Sequence, residues 1–318
     1  MKTKVSIITG ASGEIGQNLI AYFTKSSKKK IIALDLNKSN NNIYKFIEGS
    51  ILDKNILNQI NNEYIVEEIF HLAAILSTKA EKDKNLAESV NVQGTINLLN
   101  LASSQYFTNH ITTKFFFPSS IAVYNTINNN IKEPISEYMY CNPLTVYGQH
   151  KLYCENIGSY FQTKYKNIDF RSIRFPGIIS SQTIPNGGTS DYIPEMIHFA
   201  AKGDEYKCFA RKDAQLPFIT MVDAIRAIHG LLLAEKQQLK QNVYNIRSFA
   251  PTAEEFKKKI LKEFKNAKIF FQVNKKRQSM IDSWPSDTND NAAQSDWQWR
   301  PRHDLDLGLC DYLIPEIK

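Results

Sequence analysis

Lys4-Val-Ser-Ile-Ile-Thr9, Gly10-Ala-Ser-Gly13-Glu-Ile-Gly16 and Gln17-Asn-Leu-Ile-Ala-Tyr-Phe23 follow one another without a gap. The first is a β-branched run that suits a buried parallel strand, and the third opens a helical pattern. Strand, glycine turn and helix in that order make a cradle for a dinucleotide's phosphates. Gly10 permits the tight turn, Gly13 lets backbone approach a pyrophosphate, and Gly16 lets the helix pack on the strand. Ser12, Glu14 and Ile15 belong to the same cradle. The helix N-terminus adds unpaired N–H groups and a partial positive charge. A second run, Lys30-Ile-Ile-Ala-Leu, ends at Asp35. That is about 20 residues on, where a carboxylate accepts from the adenosine ribose hydroxyls. An acid there repels a 2′-phosphate and no Arg follows it, so NAD is expected rather than NADP.

Further strands are expected at 42–47, 67–72, 114–117, 168–174 and 242–247, with helices near 82–104, 146–166 and 221–236. Such alternation predicts an α/β fold with a doubly wound parallel sheet of the Rossmann type. Ligands of these sheets bind at the carboxyl ends of the strands. Leu72, Ala73 and Ala74, then Pro118-Ser119-Ser120, then Phe175-Pro-Gly-Ile178, are therefore expected to share a crevice with the glycine turn. Residues 1–175 and 215–247 are assigned to a dinucleotide-binding domain. Residues 176–214 and 248–318, richer in Pro, Gly and irregular segments, are assigned to a smaller, discontinuous substrate-binding lid. The Asn-rich stretches at 40–42 and 128–130 read as loops.

Tyr147 and Lys151 stand four apart on one of these helices and share a face. A free phenol titrates near 10. A cation about 4 Å away contributes roughly 4 kcal/mol at an effective dielectric of about 20, or about three pKa units. Lys151 is thus expected to bring the Tyr147 phenol close to neutral pH, while the Ser120 hydroxyl holds a substrate oxygen. Gly188 and Thr189 offer backbone N–H groups to a carboxylate, and Trp284 fits either a buried anchor or a substrate wall.

The 318 residues are 42% hydrophobic and 22% charged, ordinary values for a globular protein with a generous core. No apolar stretch approaches the ~20 residues of a membrane span, and a strand at the very start argues against a signal peptide. The net charge of +7 comes from dispersed lysines without aromatic interleaving, so nucleic acid is not an expected partner. The four cysteines form no Cys-x-x-Cys pair, which fits reduced thiols, and the six His residues lack metal-ligand spacing.

Thr9-Gly10-x-x-Gly13-x-x-Gly16, Asp35, His71-Leu-Ala-Ala74, Ser119-Ser120 and Tyr147-x-x-x-Lys151 together resemble the extended short-chain dehydrogenase/reductase family over essentially the whole chain. The resemblance implies a catalytic set of Ser120, Tyr147 and Lys151, and an adenine contact at Ser50-Ile51, where the family carries Asp before the aliphatic residue. Many members, acting on nucleotide-sugars, carry an Arg where this chain has Leu216. Ala74-Ile-Leu-Ser77, Pro185-Asn-Gly-Gly-Thr189-Ser-Asp-Tyr192 and Asp282-Ser-Trp-Pro285 are similar to the L-threonine 3-dehydrogenase branch. That branch implies NAD-dependent oxidation of the L-threonine 3-hydroxyl to 2-amino-3-oxobutyrate. It also implies substrate contacts from Ser77, Ser119, Ser120, Tyr147, Gly188, Thr189 and Trp284, and a homodimer paired through the helices near 82–104 and 146–166. The cytoplasm is the expected location, with mitochondria as the alternative. A nucleotide-sugar epimerase or dehydratase is the alternative activity.

Overall fold

The computed structural model describes all residues except 1, 28, 39–42, 128–130, 132, 166, 183–187 and 318. The loops expected at 40–42 and 128–130, the first residue of the expected strand 42–47, and Pro185, Asn186 and Gly187 lie outside the described residues. The strands are β1 (Thr3–Thr9), β2 (Ile31–Asp35), β3 (Lys45–Glu48), β4 (Tyr64–His71), β5 (Thr113–Ser120), β6 (Ile168–Phe175), β7 (Gly177–Ile179), β8 (Glu205–Cys208), β9 (Phe218–Thr220), β10 (Val243–Asn245) and β11 (Lys268–Phe271). The helices that matter here are α1 (Glu14–Ser26), α2 (Lys54–Glu63), α3 (Ser77–Lys82), α4 (Lys84–Glu88), α5 (Gly94–Asn109), α6 (Val146–Tyr165), α7 (Tyr192–Lys202) and α8 (Met221–Leu233), with α9 (Ala253–Glu263) and α10 (Lys275–Asp282) later in the chain.

Seven strands form one sheet in the order β10-β6-β5-β4-β1-β2-β3. β1 pairs in parallel with β2 and β4, as do β2 with β3 and β4 with β5. The sheet is flanked by helices, a Rossmann-like α/β fold. Because successive side chains of a strand leave on opposite faces, neighbours in β4 serve different layers. Ile69 joins the cluster that buries Leu57 and Ile60 of α2 and Leu98 and Leu99 of α5. Phe70 instead meets Phe23 of α1, with ring centroids 5.2 Å apart.

The chain divides into two compact units, one of Met1–Ser119, Thr145–Ile173 and Ile225–Tyr244, the other of Ser120–Leu144, Arg174–Ala224 and Asn245–Lys318. The second unit claims 120–144, 174–175, 215–224 and 245–247, which the sequence assigned to the dinucleotide-binding part. Buried polar contacts account for the difference. Tyr124 donates to Asn245 Oδ1 at 2.7 Å and accepts from Arg174 Nη1 at 2.8 Å, while the Asp223 carboxylate accepts from the backbone N–H groups of Arg302 and His303.

The helix expected near 82–104 is continuous from Lys84 on, but it is not uniformly α-helical. Asp83 ends α3 and caps α4 by accepting from Leu86 N–H, and a π-helical turn, Ser89–Gln93, precedes α5. One-turn π segments often mark functional places. Here the turn points Asn91 at Ile75, whose N–H donates to Asn91 Oδ1 at 2.7 Å and whose carbonyl accepts from Asn91 Nδ2 at 2.9 Å.

Candidate active site

Thr9, the last residue of β1, organises the first unit's cradle. Its carbonyl accepts from Leu72 N–H, and its hydroxyl accepts from Ala73 N–H at 3.3 Å while bonding His71 Nδ1 at 3.0 Å. Thr95 Oγ1 holds the other imidazole nitrogen at 2.8 Å. Burial and the nearby Lys151 charge lower the His71 pKa to about 3, so the ring is neutral. The 72–74 segment is thereby pressed onto Gly10, which has φ +63° and whose Cβ, if present, would lie 2.5 Å from Ala73 N. Only glycine combines that backbone with that approach. Gly13 stands at the N-cap of α1 without a side-chain cap, and Gly16 is buried within the helix. The first N–H groups of α1, at Glu14 and Ile15, therefore have no capping side chain, as a phosphate site requires. Glu14 Oε1 is buried without a partner among the described residues.

Asp35 ends β2 and accepts from Ser12 N–H at 2.9 Å and from Asn37 N–H at 3.1 Å. It ties the glycine turn to the end of β2, and the Ser12 hydroxyl donates to Asn37 O. Ser50 accepts from Leu52 N–H, whereas Ile51 is buried and its carbonyl accepts from Asn97 Nδ2. Asp53 caps α2 by accepting from Asn55 N–H at 2.8 Å. Ser77 opens α3 and is buried.

α6 is seated by Thr145, whose hydroxyl accepts from Gly148 N–H, and by Glu81, which accepts from Val146 N–H. Gly158 lets it lie directly on β6, since a Cβ there would come within 2.1 Å of the Phe170 ring. Tyr147 and Lys151 do share a face, but not as expected. Lys151 is 4% exposed and its ammonium donates to Pro118 O at 2.5 Å, lying 4.6 Å from the centre of the Phe117 ring and 5.5 Å from that of Tyr147. Burial lowers the Lys151 pKa to about 8, against the opposing pull of Cys154 and Glu155. Burial pushes the Tyr147 phenol well above its ordinary range. Desolvation thus acts on the phenol in the direction opposite to that anticipated from the lysine. The Tyr147 hydroxyl has no hydrogen-bond partner among the described residues and is free to take one from a ligand.

Ser119 was expected to face substrate. It is 3% exposed and donates to Glu155 Oε1, itself buried one helical turn beyond Lys151. The sequence reading missed Glu155 altogether; its i+4 spacing from Lys151 was the available signal. Asn91 and the His71–Thr95 pair were missed too, because each looks like an ordinary helical or core residue. Cys154 is a buried thiol that donates to Asn91 O at 3.2 Å.

In the second unit, Ser120 accepts from Ala122 N–H at 3.1 Å and caps the short turn Ile121–Val123, leaving its hydroxyl hydrogen uncommitted. Phe175 is buried and Ile178 pairs with Ile219 across β7 and β9. The Gly188 N–H, proposed as a carboxylate donor, already donates to Asp191 Oδ2 at 2.5 Å, and the Gly188 carbonyl accepts from Arg277 Nη2. With its N–H engaged by an acid, Gly188 does not receive a carboxylate in this arrangement; the buried Thr189 stays a candidate. Trp284 is 8% exposed and its carbonyl accepts from the Thr126 hydroxyl, a contact that suits an anchor.

The sequence model described as the NAD dependent epimerase/dehydratase family matches residues 6–246. The chain belongs to that family. Mitochondrial L-threonine 3-dehydrogenase of Bos taurus is 32% identical over 305 residues, covering 95% of this chain and 79% of that one. Among solved structures, a monomeric L-threonine 3-dehydrogenase from a metagenome is 35% identical with a TM-score of 0.88, covering 98% of this chain and 99% of the other. The L-threonine dehydrogenase of Clostridium difficile is 31% identical with a TM-score of 0.90, covering 100% and 98%. The resemblance to extended short-chain dehydrogenases therefore holds, and the family's NAD dependence agrees with the glycine cradle. Among the described residues no helix is long and apolar enough to cross a membrane, and no cluster of three His, Cys, Asp or Glu is placed to hold a metal.

Proposed function

We propose that this chain oxidises the 3-hydroxyl of L-threonine to 2-amino-3-oxobutyrate with NAD⁺. The observation that carries this reading is a free Tyr147 hydroxyl beside a buried Lys151 in a chain whose threonine-dehydrogenase relatives align over nearly its whole length. NAD⁺ supplies the hydride acceptor and, while oxidised, a positive ring. Gly10, Ser12, Gly13, Glu14, Ile15 and Gly16 hold the pyrophosphate, and Asp35 takes the ribose hydroxyls. Ser50, Ile51 and the 72–74 segment border the adenine and nicotinamide ends, with Phe175 and Ile178 completing the coenzyme contacts. Tyr147 takes the hydroxyl proton as general base. Its high resting pKa makes turnover rise toward alkaline pH. Lys151 stabilises the phenolate, and Ser120 donates a hydrogen bond to the reacting oxygen. Thr189, Ser77 and Trp284 bind the amino-acid end. Residues 176–214 and 248–318 act as the substrate-binding lid.

The acid at Asp35 favours NAD over NADP. Exposed aromatics on α5 and α6 (Tyr106, Phe107, Tyr153 and Tyr160) support association into a homodimer, which light scattering would test against a monomer. Four free thiols fit a reducing compartment, the cytoplasm or the mitochondrial matrix. Incubation with L-threonine, L-serine or 3-hydroxybutyrate and NAD⁺, followed at 340 nm, tests the reaction. NADH accumulation with threonine above the other two supports it. Absence of NADH with all three contradicts it and leaves the nucleotide-sugar reading, in which the coenzyme is recycled.

A further inference from the structure

Pro118 and Ser119, adjacent at the end of β5, are each tied to α6. The Pro118 carbonyl accepts from Lys151 and the Ser119 hydroxyl donates to Glu155, residues four apart on one helical face. Both α6 side chains are buried, at 4% and 2% exposure. A buried ammonium is costly unless an opposite charge lies near it. The groups that face Lys151 include His71 from β4, and Tyr147, Cys154 and Glu155 from α6 itself. His71 is neutral, and burial raises both the Tyr147 phenol and the Cys154 thiol, the latter to about 11. Glu155 is the remaining acidic side chain of this set.

We propose that Glu155 is a positioning residue whose charge, fixed in place by Ser119, keeps Lys151 an ammonium against the Pro118 carbonyl. The proposal rests on the catalytic reading of Lys151 but concerns the lysine's own titration, which is measurable without turnover. Opposite charges within about 4–6 Å move a titration by about one to three units. Lys151 already titrates low, at about 8. Removing the carboxylate charge lowers that midpoint further, so that the lysine is increasingly neutral at the alkaline pH where the phenol works best.

The test uses full-length protein carrying lysine labelled with ¹³C at Cε, the Lys151 resonance being assigned by its loss in Lys151→Arg. In Glu155→Gln, which keeps the size and an acceptor for Ser119, the Lys151 midpoint is expected to fall by about one pH unit or more. Glu155→Asp, which keeps the charge, should hold the midpoint within about 0.5 unit, setting the charge apart from mere packing. An unmoved midpoint in Glu155→Gln overturns the proposal whatever the activity. A wild-type protein inert toward threonine whose Lys151 midpoint still falls on substitution overturns the proposed reaction and upholds this inference.

Discussion

At the end of β5 the first unit surrounds its polar groups with protein. Lys151, Ser119 and Glu155 are 4%, 3% and 2% exposed, and His71 is 2% exposed between two threonines. Around Gly188 and Asp282 the second unit builds with longer, wetter partners. Arg277 reaches 89 residues back to the Gly188 carbonyl, and Arg211, with a side chain 42% exposed, bridges Asp213 and Asp282. Polar groups removed from water fix one another's position and protonation, and each is costly to orphan. Exposed ion pairs compete with water and contribute little. Substitutions in the two regions should therefore differ sharply in consequence.

The largest effect is expected at Tyr147. Tyr147→Phe should lower turnover with threonine by about 10³-fold, the scale of a lost general base, while the NAD⁺ dissociation constant changes by less than about threefold. Steady-state kinetics and a coenzyme titration read the two separately. Gly10→Val comes next. A β-branched side chain at φ +63°, within 2.5 Å of the Ala73 backbone, should cost about 3 kcal/mol of stability and abolish saturable NAD⁺ binding, seen by denaturant melts and fluorescence titration.

The pH dependence probes the same buried region. The His71 pKa lies near 3 in the fold against 6.5 in the unfolded chain, so the unfolded state binds the extra proton. Stability from the neutral ring is present above about pH 6.5 and is lost as pH falls from there toward 3. At pH 5 the loss is about 2 kcal/mol. Melts at pH 7 and pH 5, with a His71 imidazole resonance that does not titrate between them, would bear this out. The smallest effect belongs to the wet region: Asp282→Ala should cost less than about 1 kcal/mol. A loss as large as that of Gly10→Val would erase the contrast between the regions.

The same contrast explains what the sequence allowed one to read. The cradle was legible because its requirements fall on consecutive residues: a strand, Gly10, Gly13 and Gly16, a helix, then Asp35 at the next strand's end. Tyr147 and Lys151 were legible as a pair by helical spacing. Their protonation was not, because the lysine's partner is the backbone carbonyl of Pro118, invisible in any side-chain pattern, and desolvation pushes the phenol upward. Ser119 looked like a substrate contact until Glu155, 36 residues on, took its hydroxyl. At Gly188 the N–H was claimed by Asp191, three residues along and already quoted in the motif, yet only the folded turn shows that the carboxylate turns back onto it. The helix near 82–104 was legible in extent, but the capping aspartate before it and the π-helical turn within it leave no mark on its periodicity.

L-Threonine deuterated at Cβ, incubated with NAD⁺ and the wild-type protein, tests the central claim most directly. The account predicts released NADH carrying the deuterium at nicotinamide C4, formed about 10³-fold more slowly by Tyr147→Phe. Released NADH without the label, or labelled NADH from Tyr147→Phe at the wild-type rate, would contradict it.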